Sequence, residues 1–176
     1  MAKDLEQVLQ NLKAALVVRP SDAWKRVQLG KIHSQLGQTQ EAIEAFERAI
    51  RDQPDLAVAH AQLGMVRASL GHWPAAKDAL SRALELNTDH HDALTTLADV
   101  HVKTGELEAA ARVLARTVAV YPDDFGSFRS GAEVLTALEQ DSAAADYLSR
   151  ARALKSDDID VAFDLGMACA NSMMWA

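Results

Sequence analysis

Apolar and polar positions alternate along this chain with the three- and four-residue spacings of short amphipathic helices. Apolar residues recur through Trp24–Leu36, and Gly37 follows, where the chain can enter the left-handed conformation that ends a helix. A second apolar stripe runs through Ala42–Ile50 and stops before Pro54, whose ring and missing N–H oppose continuation of a helix. The pattern predicts two helices that are joined by a tight turn and folded back on each other.

This helix pair recurs with a constant period, which is typical of helical arrays. The period is the interval from one turn glycine to the next, at Gly37, Gly71 and Gly105. Small residues recur in both helices, so we expect the paired backbones to approach closely, with the glycines of the first helix facing the alanines of the second. The first-helix column holds Gly30, Gly64, Ala98, Ala132 and Gly166, and the second-helix columns hold Ala42, Ala76, Ala110 and Ala144, then Phe46, Leu80, Leu114 and Leu148.

Short oxygen-bearing side chains stand just before each first helix, again one period apart. They are Ser21, Asp55, Asp89, Asp123 and Asp157. Such side chains accept hydrogen bonds from the unpaired N–H groups in the first turn of a helix. We therefore predict that these residues are the N-caps of the first helices.

The negative net charge of the chain disfavours two classes of binding partner. The chain has 18 Lys and Arg against 25 Asp and Glu, a formal net charge of −7, which disfavours nucleic acid and anionic membranes as main partners. No apolar run approaches the roughly 20 residues that span a bilayer, so we expect no membrane insertion. The N-terminus lacks the pattern of a secretory signal, and the single Cys169 cannot form an intramolecular disulfide. These features favour a cytoplasmic location.

The repeated features together resemble the tetratricopeptide repeat: a 34-residue period with a Leu–Gly pair, a turn glycine, a central alanine, a large apolar residue, a second alanine and a proline. The resemblance implies an all-α fold, a right-handed superhelical solenoid of antiparallel helix pairs in which only neighbouring repeats touch. The implied array has complete repeats at 23–56, 57–90, 91–124 and 125–158, preceded by a lone second helix at 4–20 and followed by a lone first helix at 159–176.

In this family the first helices line a concave groove, so the resemblance implies a scaffold that binds a peptide or another protein. The early half of the groove is mainly apolar and the later half is mainly acidic, which favours a ligand with an apolar anchor near Trp24, Val58 and Met65 and basic residues toward its other end. The alternative is an acidic face that contacts only solvent. The implied groove residues are Trp24, Val27, Gln28, Lys31, Gln35, Val58, Ala61, Gln62, Met65, Ser69, Asp92, Thr95, Thr96, Asp99, Lys103, Arg129, Ser130, Glu133, Asp160, Phe163, Asp164 and Met167.

One subtype of the family binds the C-terminal carboxylate of heat-shock chaperones with a set of lysine, asparagine and arginine side chains. The corresponding residues here are Val27, Lys31, Gln62, Asp92 and Thr96. Because an aspartate in the place of a cation repels a carboxylate, we expect no clamp of this kind.

The sequence carries no recognisable catalytic or metal-binding motif. His33 and His101 share a column but stand two repeats apart, too far for one ion. His60, His90 and His91 lack further ligands at metal spacing. We therefore expect no bound metal, no cofactor and no enzyme activity. The alternative is that the chain is the recruitment module of a larger enzyme whose catalytic domain lies outside it.

The two ends of the predicted array carry complementary halves of a repeat. Apolar residues on the two halves favour head-to-tail association of identical chains, and truncation of a longer array is the alternative. These residues are Leu5, Leu9 and Leu12 in the first helix and Met173, Met174 and Trp175 in the last.

Overall fold

The computed structural model of the chain describes residues 2–174, and the side chains from Leu5 to Ser172. Within these residues the chain forms ten α-helices and no β-strand, so the fold is all-α, as the sequence predicts. The helices are α1 (Ala2–Val18), α2 (Ala23–Gln35), α3 (Thr39–Asp52), α4 (Ala57–Ser69), α5 (Trp73–Leu86), α6 (His91–Lys103), α7 (Leu107–Val120), α8 (Phe125–Ala137), α9 (Asp141–Leu154) and α10 (Ile159–Met174).

The helices group into two compact bodies, the N-terminal body up to Thr96 and the C-terminal body from Leu97, with the boundary inside α6. In the N-terminal body, α2 packs against α3 and α4 packs against α5, while α1 contacts α2 and α3 contacts α4. One apolar cluster joins α2, α3 and α4 through Val27, Phe46 and Leu63. Neighbouring helix pairs therefore share one continuous core. The exact division of the helices into repeats stays a prediction.

The C-terminal body has the same kind of packing. The α8 helix contacts α7 and α9, and α10 contacts α9. Phe128, Leu148 and Val161 belong to one apolar cluster that joins α8, α9 and α10. The rings of Phe128 and Tyr147 meet edge to face, with their centroids 5.5 Å apart and their planes at 70°. This geometry is favourable for aromatic pairs, so the two rings help to hold α8 against α9.

Glycines in the first helices allow the paired helices to approach each other. A Cβ atom on Gly30 would lie 2.5 Å from the Phe46 ring, and one on Gly64 would lie 2.6 Å from Cγ of Leu80. Both distances are well inside the van der Waals contact distance of about 3.5–4.0 Å. Ala98 and Ala132 share apolar clusters with Ala110 and Ala144, in line with the expected columns. The nearest neighbour of Gly30 and of Gly64, however, is a large residue of the second helix and not Ala42 or Ala76. The reason is that only a large side chain reaches the space that the absent Cβ leaves open.

The α8 and α9 helices also pack closely, but at one pair of positions the large and the small residue have changed helices. Leu63 and Ala79 are both buried in the N-terminal body, and the residues two periods later are Gly131 and Tyr147. A Cβ atom on Gly131 would overlap the ring of Tyr147. The large side chain has thus moved from the first helix to the second, which keeps the seam filled.

The N-caps lie one residue later than the sequence predicts. The chain makes a β-turn across Pro20, Pro54 and Pro122. At Pro20 the Asp22 N–H donates to the Arg19 carbonyl at 3.3 Å, so Ser21 lies inside the turn and Asp22 becomes the cap. The cap position of α4 is Leu56 and not Asp55, and α6 begins at His91, so Asp89 does not stand directly before that helix. The side-chain caps accept from Lys25 N at Asp22 (3.0 Å), from Ser127 N at Asp124 (3.2 Å) and from Val161 N at Asp158 (3.1 Å), so Ser21, Asp123 and Asp157 are not the caps.

The turns between the paired helices contain the predicted glycines in the left-handed region. The φ angle is 72° at Gly37, 74° at Gly71 and 75° at Gly105, which confirms these turns. Glu139, which replaces the glycine in the fourth pair, has a φ of 58°. A residue with a Cβ is less stable in this conformation by about 1–2 kcal/mol, so the turn between α8 and α9 is strained where the others are not.

We expect Glu139→Gly to raise the free energy of unfolding by about 0.5–1 kcal/mol, because glycine removes the strain at a small cost in chain entropy. The matched control is Gly105→Ala, which places a Cβ at the same kind of turn with nothing within 4 Å to collide with. This control is expected to lower the free energy of unfolding by about 1 kcal/mol. Urea denaturation of both variants measures the two changes, and equal signs would contradict the strain at Glu139.

We expect Gly64→Ala to lower the free energy of unfolding by about 1–3 kcal/mol, because the added methyl group collides with Leu80. The matched control is Gly166→Ala in α10, where an added Cβ would have no neighbour within 4 Å. There the better helix propensity of alanine is expected to raise stability by up to about 1 kcal/mol. Thermal unfolding at low protein concentration measures both changes. A loss of equal size at Gly166 would contradict the role of the filled space.

Candidate functional site: an acidic groove in the C-terminal body

The first part of the candidate site is a cleft between α8 and α10. Its floor is apolar and consists of Ala132, Leu148 and Ala168, all of which are buried. Its walls carry polar and charged side chains from the exposed faces of α8 and α10, together with one methionine. These wall residues are Arg129, Glu133, Thr136, Asp164, Met167 and Asn171.

A second cleft adjoins the first, because Glu133 lines both. It lies between α6, α7 and α8. Asp99 and Lys103 come from α6, and Ser130 comes from α8. Leu107, Val102, Val134 and Ala137 complete its lining. We call the two adjoining clefts the acidic groove.

The acidic groove holds more negative than positive charge. Arg129 Nε lies 3.3 Å from Glu133 Oε1, so these two charges offset each other. Lys103 faces Asp99 closely enough for its positive charge to favour the ionised form of that carboxyl. Among the residues that the structure describes, Asp164 has no ion-pair partner, and neither has Asp160 one turn earlier on α10. The excess negative charge therefore lies on α10.

Burial raises the pKa of Asp99 above its ordinary value of 3.8, and the nearby Lys103 opposes part of that change. The cause is that the wall of the groove removes water from the carboxylate and so disfavours its charged form. A cation from a bound ligand would replace some of that lost solvation. Asp99 is thus a carboxylate that gains from a positively charged partner.

The predicted groove residues of the N-terminal body differ widely in how much surface they offer. Trp24 is 58% exposed, whereas Val27 is only 2% exposed and belongs to the core, so Val27 offers no binding surface. Gln62 donates from Nε2 to the sulfur of Met65 at 3.5 Å. Ala61 is fully buried and likewise offers no binding surface. The exposed residues of this set are Trp24, Gln28, Lys31, Gln35, Ser69 and Asp92, and the half-buried residues are Val58, Gln62, Met65, Thr95 and Thr96.

In the C-terminal body, seven predicted residues line the acidic groove together, namely Asp99, Lys103, Arg129, Ser130, Glu133, Asp164 and Met167. Asp160 is exposed on α10 but lines neither cleft, and the same holds for Phe163. Sequence reasoning missed Thr136 and Asn171. The repeat period gives a signal for Asn171, since it stands two periods after Lys103, a residue that the family pattern does include.

Two of the histidines, His33 and His101, form side-chain contacts that connect the two helices of a pair. His33 Nδ1 lies 2.6 Å from Gln38 Oε1, and His101 Nδ1 lies 2.7 Å from Glu106 Oε2. Each of these contacts joins the end of a first helix to the residue that precedes the second helix. Within the described part of the chain, no three His, Cys, Asp or Glu side chains are grouped so that they could hold a metal ion.

The residues predicted for self-association are only partly described. Leu9 is buried, and Leu5 and Leu12 are half-buried in α1. The side chains of Met173, Met174 and Trp175 lie outside the described residues. Cys169 is a free, half-buried thiol on α10. None of the described helices has both the length and the apolar character that crossing a membrane requires.

Comparison with solved structures identifies similar folds. MamA shares 24% sequence identity and superposes with a TM-score of 0.81, over 90% of this chain and 92% of that chain. YrrB, described as a TPR protein with an unusual peptide-binding site, shares 18% identity with a TM-score of 0.83, over 92% and 84%. PilW, described as a widely conserved type IV pilus biogenesis factor, shares 21% identity with a TM-score of 0.78, over 97% and 81%.

Comparison of the sequence with curated proteins finds no significant match. Models of protein families do match: one described as tetratricopeptide repeat covers residues 67–130, and one described as TPR repeat covers residues 30–71. Together they span residues 30–130, more than half of the 176-residue chain, and the structure is the helical array that such repeats form. The chain belongs to the tetratricopeptide repeat family.

Proposed function

We propose that this chain is a protein-interaction scaffold whose acidic groove holds a segment of another protein. The observation that carries the proposal is the groove itself, an apolar floor with Asp164 on its wall, a carboxylate that has no ion-pair partner in the part of the chain that the structure describes. Concave sites that combine apolar surface with a few placed charges are the usual form of a binding site. The family supports this reading, since YrrB is described as a TPR protein with a peptide-binding site.

The chemistry of the groove favours a ligand that is both basic and apolar. Asp99 and Asp164 attract lysine and arginine side chains, and Met167 with the floor residue Leu148 offers contact to an aliphatic or aromatic side chain. Trp24, Val58 and Met65 of the N-terminal body are the proposed places for a further apolar anchor. Attachment to a larger enzyme and a cytoplasmic location stay predictions.

Charge reversal in the groove tests the basic part of the ligand. We expect Asp164→Lys to weaken binding of peptides that combine Lys or Arg with Leu or Phe by about tenfold, and to reduce the salt dependence of binding. Fluorescence anisotropy with a labelled peptide library, at two salt concentrations, measures both effects.

The control is Asp78→Lys, which makes the same charge change at an exposed residue of α5 that lines neither cleft of the acidic groove. This control should leave the affinity within about twofold, since only long-range charge is altered. Equal weakening by both variants would indicate a diffuse charge effect, and no change in either would refute a basic ligand. Met167→Ala should weaken binding without changing its salt dependence.

Acidification tests the role of Asp99. Because burial raises its pKa, Asp99 takes up a proton at a higher pH than an ordinary aspartate does, and the neutral form no longer attracts a cation. We therefore expect peptide affinity to fall as the pH is lowered from neutral toward 3.8, with the loss beginning above that ordinary value. Asp99→Asn should remove this part of the pH dependence. A pH profile that is identical in the variant would show that Asp99 does not contact the ligand.

A further inference from the structure

The α10 helix carries an unfilled place beside Gly166. The equivalent spaces are filled in the N-terminal body, where the Phe46 ring lies against Gly30 and Leu80 lies against Gly64. Within the described residues, a Cβ on Gly166 would have no neighbour within 4 Å. A side chain of the size of leucine therefore fits beside Gly166 in the way that Leu80 fits beside Gly64.

The apolar residues next to this place are also uncovered. Ile159 is 82% exposed and Phe163 is 68% exposed. Their counterparts four periods earlier are Ala23 and Val27, which are 6% and 2% exposed. Such exposed apolar neighbours mark an interaction surface. We call the surface formed by Ile159, Phe163 and Gly166 the end face of α10.

Within the chain, two successive helices cover the surface of α2 that corresponds to the end face. The α3 helix supplies Phe46, which fills the space at Gly30. The α4 helix supplies Leu63, which belongs to the same apolar cluster as Val27. An occupant of the end face therefore needs a helix in the place of α3, followed by a helix in the place of α4.

The α1 and α2 helices of the chain have this order and register. Leu12 of α1 stands one period before Phe46 and two periods before Leu80. Leu12 is half-buried, and Val8 one turn earlier is 43% exposed. Leu9 is buried, on the side where α1 packs against α2. Leu12 and Val8 lie about 60° and 100° around the helix from Leu9, so the side of α1 next to its contact with α2 carries the residues that the second helix of a pair uses to contact its first helix.

We propose that the end face of one chain binds α1 and α2 of a second copy. Leu12 of the second copy fills the space at Gly166, and α2 of the second copy covers Ile159 and Phe163. Each copy has one end face and one α1, so the contact is heterologous and continues from copy to copy. The occupant is assigned to a second copy because its α1 and α2 match α3 and α4 in helix order and in the register of the repeat period.

One residue departs from this match. Val8 stands in the column of Ala42, Ala76, Ala110 and Ala144, all of which have no exposed surface. The two additional methyl groups of valine hold α10 and the second copy's α1 further apart than the paired helices within the chain. The association is therefore weaker than the stacking inside the chain and depends on protein concentration.

A single methyl group at Gly166 tests the proposal. Gly166→Ala improves helix propensity in the monomer, but it blocks the space that Leu12 of the second copy enters. We expect this variant to unfold at the same or a higher temperature than the wild type while its self-association weakens at least about fivefold. Sedimentation velocity from micromolar to millimolar protein concentration, with thermal unfolding in parallel, gives both results.

Mixing two blocked variants tests which surfaces meet. Gly166→Leu blocks the end face and Val8→Asp blocks α1, so each variant alone should stay monomeric. In a mixture, the intact α1 of the first variant meets the intact end face of the second, and a dimer of one chain of each should form without larger species. Circular dichroism confirms that both variants are folded, and Leu12→Ala replaces Val8→Asp if that variant loses helix.

Three outcomes would overturn the proposal. The first is a wild-type chain that stays monomeric over the whole concentration range, which would leave the end face to another occupant. The second is self-association that Gly166→Ala and Gly166→Leu leave unchanged. The third is a mixture of the two folded, blocked variants that stays monomeric.

Discussion

The fold depends on one contact that recurs from pair to pair, a large side chain of the second helix in the space that an absent side chain leaves in the first. At Gly30 and Gly64 this contact brings Phe46 and Leu80 against the backbone of the neighbouring helix. The α2 and α3 helices have 13 and 14 residues, a length at which isolated helices are marginal in water. Their order therefore comes from the packing between them, which has no room for an additional carbon atom.

The same packing determines which side chains remain for binding. In the C-terminal body, α9 packs against one side of both α8 and α10. Its Leu148 is buried together with Ala132 of α8 and Ala168 of α10. The sides of α8 and α10 that face away from α9 keep their charged residues, Glu133 and Asp164 among them. The groove is thus a consequence of helix pairing, and its chemistry is set by residues that the packing does not constrain.

The sequence predicts the packed parts of this molecule better than the exposed parts. Gly37, Gly71 and Gly105 are predictable because a left-handed turn admits few residues. The N-caps lie one residue later than predicted because the β-turn between two helix pairs, as at Ser21, uses one more position than the helical pattern shows. The family pattern places Val27 in the groove, yet α4 covers it, since burial depends on the neighbouring pair and not on the helix's own sequence.

The α10 helix connects the two proposals, because it carries both a wall of the acidic groove and the end face. Asp164 and Met167 line the groove, while Phe163 and Gly166 belong to the end face. Each groove residue directly follows an end-face residue in the sequence, so the two surfaces lie side by side on one helix. The end face leaves one side of α10 without packed neighbours in the described chain. A second copy that covers this side would hold α10 in place and lower the entropy lost when a ligand orders Asp164 and Met167. By thermodynamic reciprocity, a ligand in the groove would then strengthen the association of the copies by the same factor.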